Sequence, residues 1–185
     1  MNVLVAAASR NGATAEIADA IGRALRERGL SVTVAAPERV GDIGVYDAFV
    51  LGSAVYTGHW LQPAREIVER IGLLIAARPV WLFSSGPVGD PSRKLVQEMA
   101  ADPVDLPAVR ERTNAREHRM FAGRLVSEHA SFAQRVSLHV FRGLEGDFRD
   151  WSAIEQWANE IADALLDREP STRTAEQATS VVEPA

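Results

Sequence analysis

The sequence predicts a single doubly wound α/β domain: a five-stranded parallel sheet in the order 2-1-3-4-5, with helices on both faces. Three observations predict it. The apolar runs are short and nearly continuous, as in strands covered on both faces. Segments of helical periodicity separate these runs and serve as crossovers. A chain of 185 residues with 46% hydrophobic content can bury one sizeable core.

The first run, Val3-Leu4-Val5-Ala6-Ala7-Ala8, marks a strand over about 2–8. Ile17, Ile21, Ala24 and Leu25 then recur at helical spacing over 13–28, and Gly29 supplies the stop. Val32 and Val34 alternate in a short second strand over 31–35, and Ala48-Phe49-Val50-Leu51 lies at the centre of a buried third over 47–52. A second helix begins near Pro63 and gathers Ala64, Ile67, Val68, Ile71 and Ile75 on one face. Val80-Trp81-Leu82-Phe83 predicts a fourth strand within 79–84, and Leu95 with Met99 a short helix over 92–100. Met120-Phe121-Ala122-Gly123-Arg124-Leu125 predicts the fifth strand. The last helix carries Asp150 as its N-cap and Ile154, Trp157, Ala158, Ile161 and Leu165 as its buried stripe.

Two segments stand outside this rhythm. Residues 101–117, with Pro103, Pro107 and dense charge, predict a surface loop holding one helical turn over 108–112. Residues 126–149 form an insertion between the fifth strand and the last helix, with a partly apolar face of Phe132, Val136 and Val140 that covers the sheet edge. The domain thus spans 1–168, and the aperiodic Ser/Thr/Ala/Glu-rich tail over 169–185 is expected to be disordered.

Composition narrows the function. With 20 Lys+Arg against 25 Asp+Glu, the formal net charge is -5 and no basic stripe marks a nucleic-acid partner. Zero cysteines exclude disulfides, thiolate metal sites and a redox dithiol. Redox chemistry therefore needs a borrowed cofactor, and no metal site is expected. Without a basic leader or a long apolar stretch, the expected chain has no stable membrane span and is cytoplasmic.

In such a sheet, ligands gather beyond the carboxyl ends of the strands, near the switch point between strands 1 and 3. Three turns converge there. After strand 1, Ser9-Arg10-Asn11-Gly12-Ala13-Thr14 opens a helix, aiming backbone N–H groups and the positive dipole end at one small volume. That is an anion cradle, or alternatively an ordinary βα turn with Gly12 for tightness. After strand 3 comes Gly52-Ser53-Ala54-Val55-Tyr56-Thr57-Gly58-His59-Trp60, and after strand 4 Ser84-Ser85-Gly86-Pro87-Val88-Gly89-Asp90-Pro91. These small-residue loops let backbone approach a ligand closely. Ser9, Asn11 and Thr14 with local amides suit a phosphate, while Tyr56 or Trp60 suits the face of a flat ring. Flavin mononucleotide, FMN, has that shape. For both aromatics the plain structural alternative is packing over the second helix.

On these residues the chain resembles the flavodoxin superfamily, and within it the branch that includes menaquinone-dependent protoporphyrinogen oxidase. The first turn is similar to the phosphate loop [ST]-x-T-G-x-T, with Asn11 standing where Thr is usual. Residues 52–60 resemble that branch's second flavin loop, with Tyr shifted by one position, and Phe121-Ala122-Gly123-Arg124-Leu125 and Asp150-Trp151 also resemble it. The resemblance implies a flavodoxin-like fold with bound FMN. Its phosphate lies at Ser9, Arg10, Asn11, Gly12, Ala13 and Thr14, and its ring near Ala54, Val55, Tyr56, Thr57 and Gly58 and near Ser85, Gly86, Pro87, Val88 and Gly89. It implies no catalytic side chain, His59 being the one loop residue suited to moving a proton near neutral pH.

Other α/β readings fail on residues. A phosphoacceptor receiver needs acids after strand 1 and an Asp at the end of strand 3, a dinucleotide fold needs G-x-G-x-x-G, a P-loop needs Gly-Lys-Ser/Thr, and a hydrolase elbow needs G-x-S-x-G. Two classes remain. One is an FMN oxidoreductase acting on a small-molecule or quinone-type substrate, protoporphyrinogen-oxidase-like in the finer reading. The other is an electron carrier serving a redox protein, or a flavodoxin-fold domain that has lost FMN. Flavodoxin-like enzymes are often dimers, so the resemblance leaves a homodimer open without fixing the oligomeric state.

Overall fold

The computed structural model describes residues 1–73, 78–86, 102–125 and 146–167. In chain order these form β1 (Asn2–Ala8), α1 (Ala13–Glu27), β2 (Ser31–Ala35), a 3-10 turn at Pro37–Arg39, β3 (Ala48–Tyr56), β4 (His59–Trp60), α2 (Gln62–Gly72), β5 (Val80–Ser85), α3 (Leu106–Thr113), β6 (Glu117–Phe121), β7 (Arg124–Leu125), β8 (Gly146–Asp147) and α4 (Trp151–Leu166). The helix expected over 92–100, Ile75, the core of the insertion and the tail lie outside the described residues.

The five long strands pair in parallel in the order β2-β1-β3-β5-β6. Counted among parallel strands, this is the predicted 2-1-3-4-5. Alternation sorts their side chains to opposite faces. Val3, Val5 and Ala7 of β1, with Trp81 and Phe83 of β5, meet the stripes of α1 and α4. Leu4, Ala6 and Ala8, with Phe49, Leu51, Val80 and Leu82, meet α2 and α3. Both faces are therefore covered, which is why the strands read as unbroken apolar runs.

Three expectations are corrected. The fifth parallel strand is Glu117–Phe121, not 120–125. It is an edge strand whose polar residues have partners, so no apolar run announces it: Glu117 accepts from Trp157 Nε1 at 3.0 Å, and Arg119 reaches Glu117 and Glu160, both at 2.8 Å. Arg124–Leu125 instead pairs antiparallel with Gly146–Asp147, closing the base of the insertion with a small ribbon. The span 52–60, expected as an open loop, is mostly strand: β3 runs to Tyr56 and β4 folds back on it, with Val55 opposite Trp60 and Tyr56 opposite His59. The expected turn over 108–112 is the full helix α3.

The fourth strand fixes the spacing beneath the site. A Cβ at Gly52 would run into the Phe83 ring on the adjacent strand. That ring packs edge-on to Trp157 and tilted against Phe121, at centroid distances of 6.2 Å in both cases. At the far end Asp150 accepts from Ala153 N at 3.0 Å, the N-cap read from sequence.

Gly52→Ala is therefore expected to cost about 1–3 kcal/mol through overpacking. Urea unfolding of Gly52→Ala alone and with Phe83→Leu checks this, because the double variant should recover part of the loss.

Candidate functional site

The register brings three chain turns to one edge. Ala8 pairs with Ser53 and Ala54 with Ser85, so β1, β3 and β5 end together. At the first of these ends, Gly12 is the N-cap of α1 with φ +83, and no side chain caps the helix. The amides of its first turn lack intrahelical acceptors. Beside them, Ser9 Oγ is buried and makes no hydrogen bond among the described residues. A buried hydroxyl and several uncapped amides around one spot carry an unmet need for an acceptor. Thr14, in the first turn of α1, is 2% exposed.

The second end is the β3–β4 hairpin. Its two-residue tip has Thr57 at φ +50 and Gly58 at φ +80, the paired positive dihedrals of a type I′ turn. For a β-branched residue such as Thr57 that conformation is strained. Tyr56 is half-buried before the tip, and the Arg10 guanidinium lies 4.8 Å from its ring centroid. Asn11 Nδ2 donates to Tyr56 Oη at 3.4 Å. The first two turns are thus already in contact. Burial pushes the Tyr56 phenol up, with Arg10 opposing.

Trp60 is removed from the list of ring-facing residues. It is 1% exposed and packs in the core against α2, so its large side chain anchors the hairpin. Its indole Nε1 donates to Ser84 Oγ at 2.8 Å, and Ser84 Oγ lies 2.9 Å from His118 Nε2. His118 is kept below its ordinary range by burial, with Asp102 opposing. Ser53 Oγ accepts from Leu61 N at 2.9 Å, tying the hairpin to the start of α2.

His59 does not stand free at the tip. Its Nδ1 lies 3.0 Å from Asp105 Oδ1, and Asp105 Oδ2 accepts from Trp60 N at 2.8 Å. Burial alone would raise the Asp105 carboxyl, but the His59 and Trp60 hydrogen bonds hold it below its usual range. Val104 N donates to Gly58 O at 2.8 Å, so the segment before α3 braces the tip from outside. At the third end, Gly86 N donates to Phe121 O at 3.0 Å. Ser85 is buried beside it, while Pro87, Val88 and Gly89 lie outside the described residues.

Behind the first turn sits a cluster that the sequence reading did not single out. The Arg149 side chain is 2% exposed and bonds Asp147 Oδ2 at 2.5 Å, Glu16 Oε2 at 2.8 Å and Ala13 O at 3.2 Å. Arg124 reaches Glu16 Oε1 at 2.7 Å. The Trp151 ring covers the Arg149 guanidinium at 4.4 Å. The Arg149 hydrogen bond to Glu16, opposed by burial, holds that carboxyl below the usual carboxylate range, and separate Arg149 hydrogen bonds, also opposed by burial, lower Asp147. The signal available in sequence was the charge-dense Gly146-Asp147-Phe148-Arg149-Asp150-Trp151, which has no periodicity to mark its partners.

A family model described as a flavodoxin domain matches residues 4–152. The chain belongs to the flavodoxin-domain family. Solved structures agree on the fold. A flavodoxin from the domain Archaea matches with TM-score 0.59 at 16% identity, covering 90% of this chain and 99% of that one. A flavodoxin from Streptococcus pneumonia TIGR4 matches with TM-score 0.59 at 20% identity, covering 89% and 99%. The rubredoxin oxygen:oxidoreductase of Desulfovibrio gigas matches with TM-score 0.60 at 14% identity, covering 90% of this chain and 36% of that one. No curated protein matches it. Membership of the flavodoxin-domain family implies FMN binding, and the residues present fit that group. The uncapped α1 N-terminus and the unpartnered Ser9 hydroxyl suit its phosphate, and the Tyr56 face suits its ring.

No described helix is long and apolar enough to cross a membrane. No cluster of metal-ligating side chains occurs among the described residues.

Arg149→Met should cost about 2 kcal/mol. That is below the ~3–5 kcal/mol of a fully buried pair, because Glu16 and Asp147 keep 43% and 40% of their side-chain exposure. The wild-type carboxyls are held low in the folded state, so their contribution is complete above the ordinary carboxylate range and is lost as pH falls through their native values. Urea unfolding from about pH 6 down to about pH 2 should therefore show a steeper loss of stability in wild type than in Arg149→Met.

Proposed function

We propose that this flavodoxin domain is an FMN-dependent oxidoreductase that passes electrons to or from a small or amphipathic substrate, quinone-like in chemistry. The observation that carries the reading is the buried, unsatisfied Ser9 Oγ beside the uncapped amides of α1. Those groups and the Asn11 amide would bind the phosphate, and Arg10 adds charge, since among the described residues it has no carboxylate partner. Tyr56 would face the flavin ring, with the Thr57–Gly58 tip and Gly86 at the ring edge. FMN, when bound, supplies the electron chemistry, while the protein orients it and sets its electrostatic surroundings.

Charge around the site favours a small substrate over a docking protein. Carriers that dock on redox partners use a complementary charged face. Here Arg10 stands at one side of the site, and at the other Asp105 lies 3.0 Å from His59 Nδ1, accepts from Trp60 N at 2.8 Å and is approached by Arg65 at 4.0 Å. The second reading, a carrier between redox proteins, draws support from the neighbours that are themselves flavodoxins. The branch resembling protoporphyrinogen oxidase belongs to the proposal only through the quinone.

The test begins with fluorescence titration of purified protein by FMN and by riboflavin, which lacks the phosphate. Ser9→Asp should weaken FMN by about tenfold or more through like-charge repulsion and leave riboflavin nearly unchanged. An equal loss for both would remove the phosphate from this turn. Photoreduced protein should then be reoxidised faster by a soluble quinone than by a one-electron protein acceptor. The reverse order would make the chain a carrier.

A further inference from the structure

The acid in the first turn of α1 is Glu16, and a Cβ placed on the N-cap Gly12 would stand 3.8 Å from its Oε1. The dipole that attracts a phosphate to this turn attracts a carboxylate as well, so a free Glu16 and a bound dianion would compete for one field. They would also repel each other. Yet no side chain caps these amides, and the Glu16 carboxylate is held elsewhere. Arg124 donates to its Oε1 at 2.7 Å and to Oε2 at 3.2 Å, and Arg149 donates to Oε2 at 2.8 Å. The same Arg149 nitrogen reaches Ala13 O at 3.2 Å, which ties the guanidinium to the backbone of the turn. Asp147 takes the other edge of Arg149, and the Trp151 ring covers its face. With its side chain 2% exposed, Arg149 is fixed in place before any ligand arrives.

We propose that Arg124 and Arg149 are positioning residues for the cofactor phosphate: they bind Glu16 rather than the phosphate, keep its carboxylate off the amides and cancel a repulsion that would oppose the dianion. Two guanidinium groups against Glu16 and Asp147 leave no net charge in this set. The inference rests on the reading that places a phosphate at the first turn, and it adds the residues that set how tightly that phosphate is held. One consequence separates this role from a direct contact. Arginines that touched the phosphate would be missed with or without Glu16, whereas arginines that act through Glu16 are missed only while the carboxylate is present.

Fluorescence titration with FMN and with riboflavin gives an affinity ratio in which a general loss of fold or of ring binding cancels. The ratio is measured for wild type and for Arg124→Met/Arg149→Met, each with and without Glu16→Gln, which closes a double-mutant cycle. Removing both arginines should lower the FMN-to-riboflavin ratio about tenfold or more. Glu16→Gln should restore most of that loss, while changing the wild-type ratio by about twofold or less. Where circular dichroism shows that the double arginine variant does not fold, Arg124→Met alone runs the same cycle with a loss of about threefold. A ratio unmoved by losing the arginines, a loss that Glu16→Gln does not restore, or equal effects of Glu16→Gln in both backgrounds would overturn the inference and leave the phosphate reading standing. Equal affinity of wild type for FMN and riboflavin would overturn that reading too.

Discussion

A hollow lined by main-chain N–H groups attracts any nearby anion, including the protein's own, and the first acid to compete is Glu16, one turn into α1. The fold answers with two arginines. Arg124 donates to both oxygens of the Glu16 carboxylate and Arg149 to Oε2, and Arg149 also holds Ala13 O, a carbonyl of the first helical turn. The carboxylate is thereby drawn to the flank of the helix, and the amides above it remain available. The same contacts join elements distant in sequence, because Arg124 lies on β7 and Arg149 just beyond β8. The ribbon that closes the insertion is thus tied to the helix that forms the cradle. Removing the clamp would release an acid beside a site built for anions as well as weakening the fold.

The other turns are held by a separate set of constraints, each polar and each buried or half-buried. Trp60 anchors the hairpin through Ser84 and His118, spanning three elements with hydrogen bonds of 2.8 and 2.9 Å. A net contribution of about 1 kcal/mol for each such bond is modest, yet leaving the indole N–H or the serine hydroxyl unpaired in the core would cost more. Gly52 leaves room on β3 for the Phe83 ring of the neighbouring strand, and that ring packs on Phe121 and Trp157. Against this rigid base, Thr57 is kept in a conformation that β-branched residues avoid. Strain at the hairpin tip, with satisfied hydrogen bonds beneath it, is what a preorganised ligand edge requires.

Much of this was legible in the chain. Continuous apolar runs and helical stripes identified four of the five parallel strands and the three amphipathic helices α1, α2 and α4, and strand order followed from right-handed crossovers. The fifth strand was misplaced because an edge strand with Glu117, His118 and Arg119 carries no hydrophobic run, and its side chains find partners distant in sequence on α4 and β5. The first turn was readable because a strand, a glycine and a helix occur in immediate succession. Trp60 was not assignable, since an aromatic next to a glycine turn fits both a ring face and a core anchor until the hairpin register is known. The Arg149 cluster was not assignable for a physical reason: Glu16 lies more than a hundred residues from both arginines, and isolated charges carry no periodicity.

The charge pattern around the site carries the argument furthest. Glu16 is paired with two arginines, Asp105 lies within hydrogen-bond range of His59 with Arg65 nearby, and Arg10 sits over the Tyr56 ring with no carboxylate partner among the described residues. The chain as a whole is acidic, with a formal net charge of -5, so the described edge departs from the average of its own surface. A docking protein steered by long-range attraction would need that surplus of one sign concentrated at the rim. Paired Glu16 and Asp105 and the Arg10 guanidinium over Tyr56 instead favour a short-range ligand whose negative charge is localised. That is the electrostatic profile of a site that holds a phosphorylated cofactor and admits a small substrate beside it.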